Sequence, residues 1–137
     1  DKKHADWCNA LQCHFSQRKV KKGKAIDLTY GRAAKLVNVY LKALFLSDFG
    51  RQTPTHENEA ELLSRTNHIH PPIDRLLLDN LMRADQQNSS HWKSYRYHGW
   101  TKFAQNEYLE VIKLISCVTE GKLWQIEEYW PAGSQSQ

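Results

Sequence analysis

Little in this chain breaks a helix. Its 137 residues include only six glycines and four prolines, and two of the prolines stand together as Pro71-Pro72. Sustained alternation of apolar and polar residues is also missing. Ser94–Trp100 alternates weakly and reads as a loop, so little or no sheet is expected. No run of eighteen apolar residues exists, and the apolar stretch Leu36–Leu46 is interrupted by Asn38 and Lys42, which excludes a predicted membrane span. No secretory leader pattern is visible. The three cysteines, Cys8, Cys13 and Cys117, are an odd number. Without a secretion signal they read as free thiols in a reducing, cytoplasmic compartment. Neither His4, Cys8, Cys13 and His14 nor His68 and His70 come with a paired Cys-x2-Cys spacing, so no zinc site is expected. No cofactor is expected either.

What is present is helical periodicity. The chain has the length of one domain with a single core. Trp7, Leu11 and Phe15, joined by Cys8, predict a first helix over about 3–19. Asp27 or Thr29 can cap a central helix over about 29–48. Glu57–Leu63 is acidic first and apolar later, a short-helix pattern. Pro71-Pro72-Ile73-Asp74 reads as a helix start, since proline is tolerated in a first turn. Leu76, Leu77, Leu78, Leu81 and Met82 then form its buried side. Thr101 can cap a long helix to Thr119, with Gly121 after its end. Leu123, Ile126 and Trp130 suggest a last short helix, stopped by Pro131. The expected fold is an all-α, compact single-domain bundle of five to six helices. The domain covers 1–131, and the tail 132–137 has nothing to bury. A helical pattern already under way at the first residues suits a piece of a longer protein.

Charge is unevenly spread. The formal net charge is +4, yet residues 1–26 carry +5, residues 89–106 carry +3 and residues 107–137 carry −3. Positive regions of this kind suit a polyanion. Within the central helix Gly31, Lys35, Asn38 and Lys42 fall on one face, while Leu36, Val37, Val39, Tyr40, Leu41, Leu44, Phe45 and Leu46 cover most of the rest. That stripe either faces solvent or faces a site. Asp74, aimed by two prolines, can serve as a general base or can offset the helix dipole. Asp79 with Arg75 and Arg83 reads as an i, i+4 ladder.

The segment Gly31-Arg32-Ala33-Ala34-Lys35, an apolar helix, and then Pro72-Ile73-Asp74-Arg75 resembles helix-hairpin-helix DNA glycosylases over residues 26–82. In that family a glycine-rich hairpin holds a DNA phosphate through backbone N–H groups, and an aspartate after a Pro-x or Val-x pair assists base excision. The resemblance implies a catalytic role for Asp74. Leu28-Thr29-Tyr30-Gly31 has one glycine where the family has a Gly-x-Gly turn, and the link from Leu46 to Pro72 is longer. Loss of catalysis is compatible with these departures. Arg65-x4-His70 is similar to the signature of helical HEPN ribonucleases, which implies a nuclease using Arg65 and His70.

A third pattern surrounds His91 and His98. Trp92, Tyr95, Tyr97 and Trp100 alternate with Lys93, Arg96 and Lys102. Aromatics can stack on bases while cations track phosphates, or the aromatics can plug the core while the charges point outward. The leading expectation is a nucleic-acid-binding domain whose partner is DNA or RNA. Lys21, Lys22, Lys24, Lys35, Lys42, Lys93, Arg96 and Lys102 would meet phosphate, with Trp92, Tyr95, Tyr97 or Trp100 stacking. The alternative is an assembly module without chemistry, whose five tryptophans would supply an aromatic partner or self-association surface.

Overall fold

Helices form here where apolar residues recur every three to four positions and where a polar side chain is at hand to end the turn. The computed structural model describes residues 2–18, 27–49, 64 and 67–129. Among them are α1 (Lys2–Ser16), α2 (Tyr30–Phe49), α3 (Arg75–Ala84), α4 (Ser89–His98) and α5 (Gln105–Val118). Three 3₁₀ segments join them, at Gln86–Asn88, Trp100–Lys102 and Leu123–Tyr129. The protein is an all-α bundle. Among the described residues no helix is long and apolar enough to cross a membrane. The expected helix at 57–63 and the tail from 132 onward lie outside the described residues.

Each start and stop has a local cause. Asp74 is extended and accepts a hydrogen bond from the Leu77 N–H at 3.0 Å, capping α3. Asp85 closes α3 through its N–H to the Leu81 carbonyl and caps the next turn. Thr101 does not cap α5. It lies in the 3₁₀ turn, and Glu107 instead accepts from the Ala104 N–H at 2.8 Å. At the far end Gly121 N–H reaches back to the Ser116 carbonyl. The left-handed position just outside α5 falls on Glu120, at φ 52°, with Gly121 following at φ 83°. The Ser94–Trp100 stretch expected as a loop is helical through His98, because Trp92 is a core anchor that pulls the whole segment into α4.

The core is built from Leu77, Leu78 and Leu81 of α3, Trp92 of α4, Phe103, and Tyr108, Val111, Ile112 and Ile115 of α5, with Leu123 and Ile126 closing it. Tyr30, Ala33, Ala34 and Val37 bring α2 onto it, and Cys8 brings α1. The two alanines let helices approach closely. Leu76, expected inside, is about half exposed, as is Trp7.

The orientation of α2 reverses the simplest reading of its sequence. Gly31 and Asn38 are buried, and Lys35 and Lys42 are half-buried. Leu36, Val39, Tyr40 and Leu44 point outward and are 43–60% exposed. The polar stripe therefore forms one half of the inward face. It does not face bulk water.

Candidate functional site

Two different environments occupy that inward stripe. At its centre Asn38 is fully enclosed. Its Nδ2 donates to the Pro71 carbonyl and to the Tyr108 hydroxyl, both at 2.9 Å. Its Oδ1 accepts from His4 Nε2 at 2.8 Å. The Tyr108 hydroxyl can then donate to His70 Nδ1 at 3.0 Å, and the Cys8 thiol can donate to His4 Nδ1 at 3.8 Å. One run of donors thus links α1, α2, α5 and the segment before α3, and it requires both imidazoles to be neutral. Burial acts in the same direction. Desolvation lowers the pKa of His4, and lowers that of His70 to about 3 with help from the nearby His4 ring. Burial likewise pushes the Cys8 thiol up to about 11 and raises Tyr108 and Tyr30. Such a network fixes the core and offers no reactive group to solvent.

One turn toward the N-terminus the stripe opens. Gly31 lies directly beneath Trp100: a Cβ there would sit 2.1 Å from the Trp100 carbonyl oxygen. The Gly31 N–H donates to the Phe103 carbonyl at 3.0 Å, and the Thr29 hydroxyl donates to the Thr101 carbonyl. This close seam brings the Trp100 indole beside Lys35, whose Nζ is 4.5 Å from the ring centroid. From the other side Ile73, buried, anchors the strand of chain that presents Asp74. One Asp74 oxygen is taken by the Leu77 N–H, and the other lies 3.4 Å from Lys35 Nζ. Both side chains keep roughly a third of their surface, 30% and 28%. That separation is long for a charge-assisted contact, which is usually about 2.7–2.9 Å. The amine therefore has donors to spare for an incoming acceptor.

Lys42, two turns further on, does not share this notch. It pairs with Glu127 at 2.6 Å beside a separate recess of about 270 Å³ lined by Phe45, Ile69, His70, Pro71, Pro72 and Trp124. Of the two lysines on the stripe, only Lys35 reaches Asp74.

The other candidate residues are dispersed. Trp92 is fully buried and its Nε1 donates to Asp85 Oδ2 at 2.8 Å, so it offers no ring face to a base. Tyr95 is half-buried, packs edge-on against Phe103 and donates to Glu110 Oε2 at 2.9 Å. Lys93, Arg96 and Tyr97 share a recess between α3 and α4. Asp79 pairs with Arg75 as expected, but its second partner is Arg96 at 2.6 Å, not Arg83. Lys102 is exposed on another side, next to Asp27 and Gln12. Lys21, Lys22, Lys24 and Arg65 lie outside the described residues. His70 is buried against Tyr108 rather than presented at the surface. Among the described residues no three His, Cys, Asp or Glu side chains converge as metal ligands do.

Arg83 was read only as a rung of a helix ladder, and its place in the α3–α4 recess had no signal in α3 alone. The pairing of Trp100 with Lys35 likewise depends on chain segments 65 residues apart. No protein-family model matches the chain, and no curated protein or solved structure matches it either.

Proposed function

We propose that this protein is a nucleic-acid-binding domain whose site is the notch of Lys35, Asp74 and Trp100. The observation that carries the reading is the loosely held amine of Lys35, set between a carboxylate and an indole on a partly open stretch of the stripe. An ammonium with unused donors meets a phosphate oxygen, and the adjacent indole offers a surface for a base. Lys93 and Arg83, which have no ion-pair partner among the described residues, add exposed positive charge on α4 and α3. Binding should weaken steeply between low and physiological salt, because each neutralised phosphate releases counterions. Fluorescence anisotropy with labelled single- and double-stranded oligonucleotides tests this directly. No affinity at low salt ends the reading.

The same notch supports a catalytic extension along the lines of the helix-hairpin-helix glycosylases. Asp74 is aimed by a fixed backbone and one of its oxygens is directed away from its own helix, as a base that acts on a bound substrate requires. Asp74→Asn keeps a capping side chain and so preserves α3. On oligonucleotides with damaged bases it should abolish product formation. A wild-type protein that releases no base from any of them leaves binding without catalysis.

The outward row Leu36, Val39, Tyr40 and Leu44, with Trp7 of α1 beside Tyr40, favours a second reading, an assembly module. Exposed apolar patches mark partner surfaces. Light scattering decides it: a size that grows with concentration supports assembly, and a monomer at all concentrations removes it.

A further inference from the structure

The recess between α3 and α4 is lined by Asp79, Met82 and Arg83 from one wall and by Lys93, Arg96 and Tyr97 from the other, with a volume of about 550 Å³. Three cations there face a single carboxylate. Asp79 does not cancel them so much as orient one of them. It binds Arg96 through Nε at 2.6 Å, which leaves the terminal guanidinium nitrogens of a largely enclosed arginine directed elsewhere. No carboxylate of the described residues lies within ion-pair distance of Arg83 or Lys93. Tyr97 is 77% exposed at the rim, and no core residue is served by its ring.

The shape decides which polyanion fits. A protein that reads duplex DNA inserts a convex element, a helix or a ribbon, into the major groove. Here no element projects: Arg96 lies between the two helices, Arg83 and Lys93 stand exposed beside it, and the Tyr97 ring can stack only on a base that is not already paired and stacked within a duplex. A single strand can run its phosphates along such a recess and lay a base on an aromatic at the edge. We infer that the α3–α4 recess is a single-strand nucleic-acid groove in which Arg83, Lys93 and Arg96 take phosphodiesters and Tyr97 stacks a base. This rests on the nucleic-acid reading above, adds a second contact surface to the notch and makes the reading specific in strandedness.

The test is anisotropy with labelled dT15 and with a 15-base-pair duplex, each over a range of salt concentrations. Arg83 and Lys93 are exposed and carry no core contact, so the double variant R83Q/K93Q should fold, which circular dichroism checks. It should bind dT15 at least tenfold more weakly, and the slope of log K against log salt should shrink by about 1.4 for two lost single-strand contacts. Tyr97→Ala should weaken dT15 binding about fivefold or more. Wild type should prefer dT15 to the duplex. If wild type binds dT15 and R83Q/K93Q binds it equally well with an unchanged slope, the groove assignment is overturned while nucleic-acid binding stands. Tighter binding of the duplex overturns it as well. A wild type that binds neither probe removes both proposals together.

Discussion

Asn38 and Lys35 sit three residues apart on one face of α2, yet their surroundings are opposites. Asn38 has no exposure, and both its oxygen and its amide nitrogen are engaged. Lys35 keeps part of its surface and holds its partner at 3.4 Å. The comparison shows that one polar stripe divides its labour. The sealed part determines how α2 is seated, and the part at Lys35 stays partly open to solvent. Substitutions should separate the two by hitting stability in one case and binding in the other.

The largest effect is expected from Asn38→Leu. It leaves the Pro71 carbonyl, His4 and Tyr108 without their partner in a dry interior, at a cost of about 3 kcal/mol. For a domain of this size that lowers Tm by about 10 °C, measurable by thermal denaturation. An unchanged Tm would erase the contrast with Lys35.

Acid should attack the same network. His70 is held neutral in the folded state with a pKa of about 3, against 6.5 when free. Between those values the unfolded chain takes up a proton that the folded chain refuses. Stability is therefore full above about pH 6.5 and falls as pH drops, by up to about 1.4 kcal/mol per unit from this group. Urea unfolding at pH 7 and pH 5 should show the loss, and His70→Gln should flatten the slope.

Gly31→Ala sharpens the comparison at the boundary between the two environments. The new methyl would collide with the Trp100 backbone, costing about 1–3 kcal/mol and shifting Trp100. Both a lowered Tm and altered tryptophan emission are expected. Lys35→Gln should be the mildest for folding, under about 1 kcal/mol, because its ion pair is solvent-screened. It should nevertheless weaken oligonucleotide binding severalfold. Equal losses of stability for Lys35→Gln and Asn38→Leu would show that the notch is only another part of the scaffold.

The helical class was legible in the sequence because periodicity is a local property. Leu77, Leu78 and Leu81, or Val111, Ile112 and Ile115, announce their burial by spacing alone. The start of a helix near Asp74 was also readable, but the prolines precede α3 rather than entering its first turn, and Asp74 is its cap. The face of α2 was not readable. Counting apolar residues turns Leu36, Val39, Tyr40 and Leu44 inward, whereas the true inward side is chosen by partners on α1, α5 and the segment before α3. Trp92 misled for the same reason. Among basic neighbours it looked like a stacking residue, and only the placement of Asp85 and the core reveals it as an anchor. For the notch, the sequence supplied Lys35, Asp74 and Trp100 separately, and tertiary contact brought them together.

The donor chain from Cys8 to His70 has a consequence for how α2 can move. Hydropathy favours rolling this rod about its own axis to submerge the leucines, and hydrogen bonds oppose the roll. The rod is therefore keyed rather than greased: it cannot spin without breaking the three hydrogen bonds of Asn38 at once. Its wet outer row is the standing result of that keying, and it is the surface on which crowding or a change of solvent will be felt first.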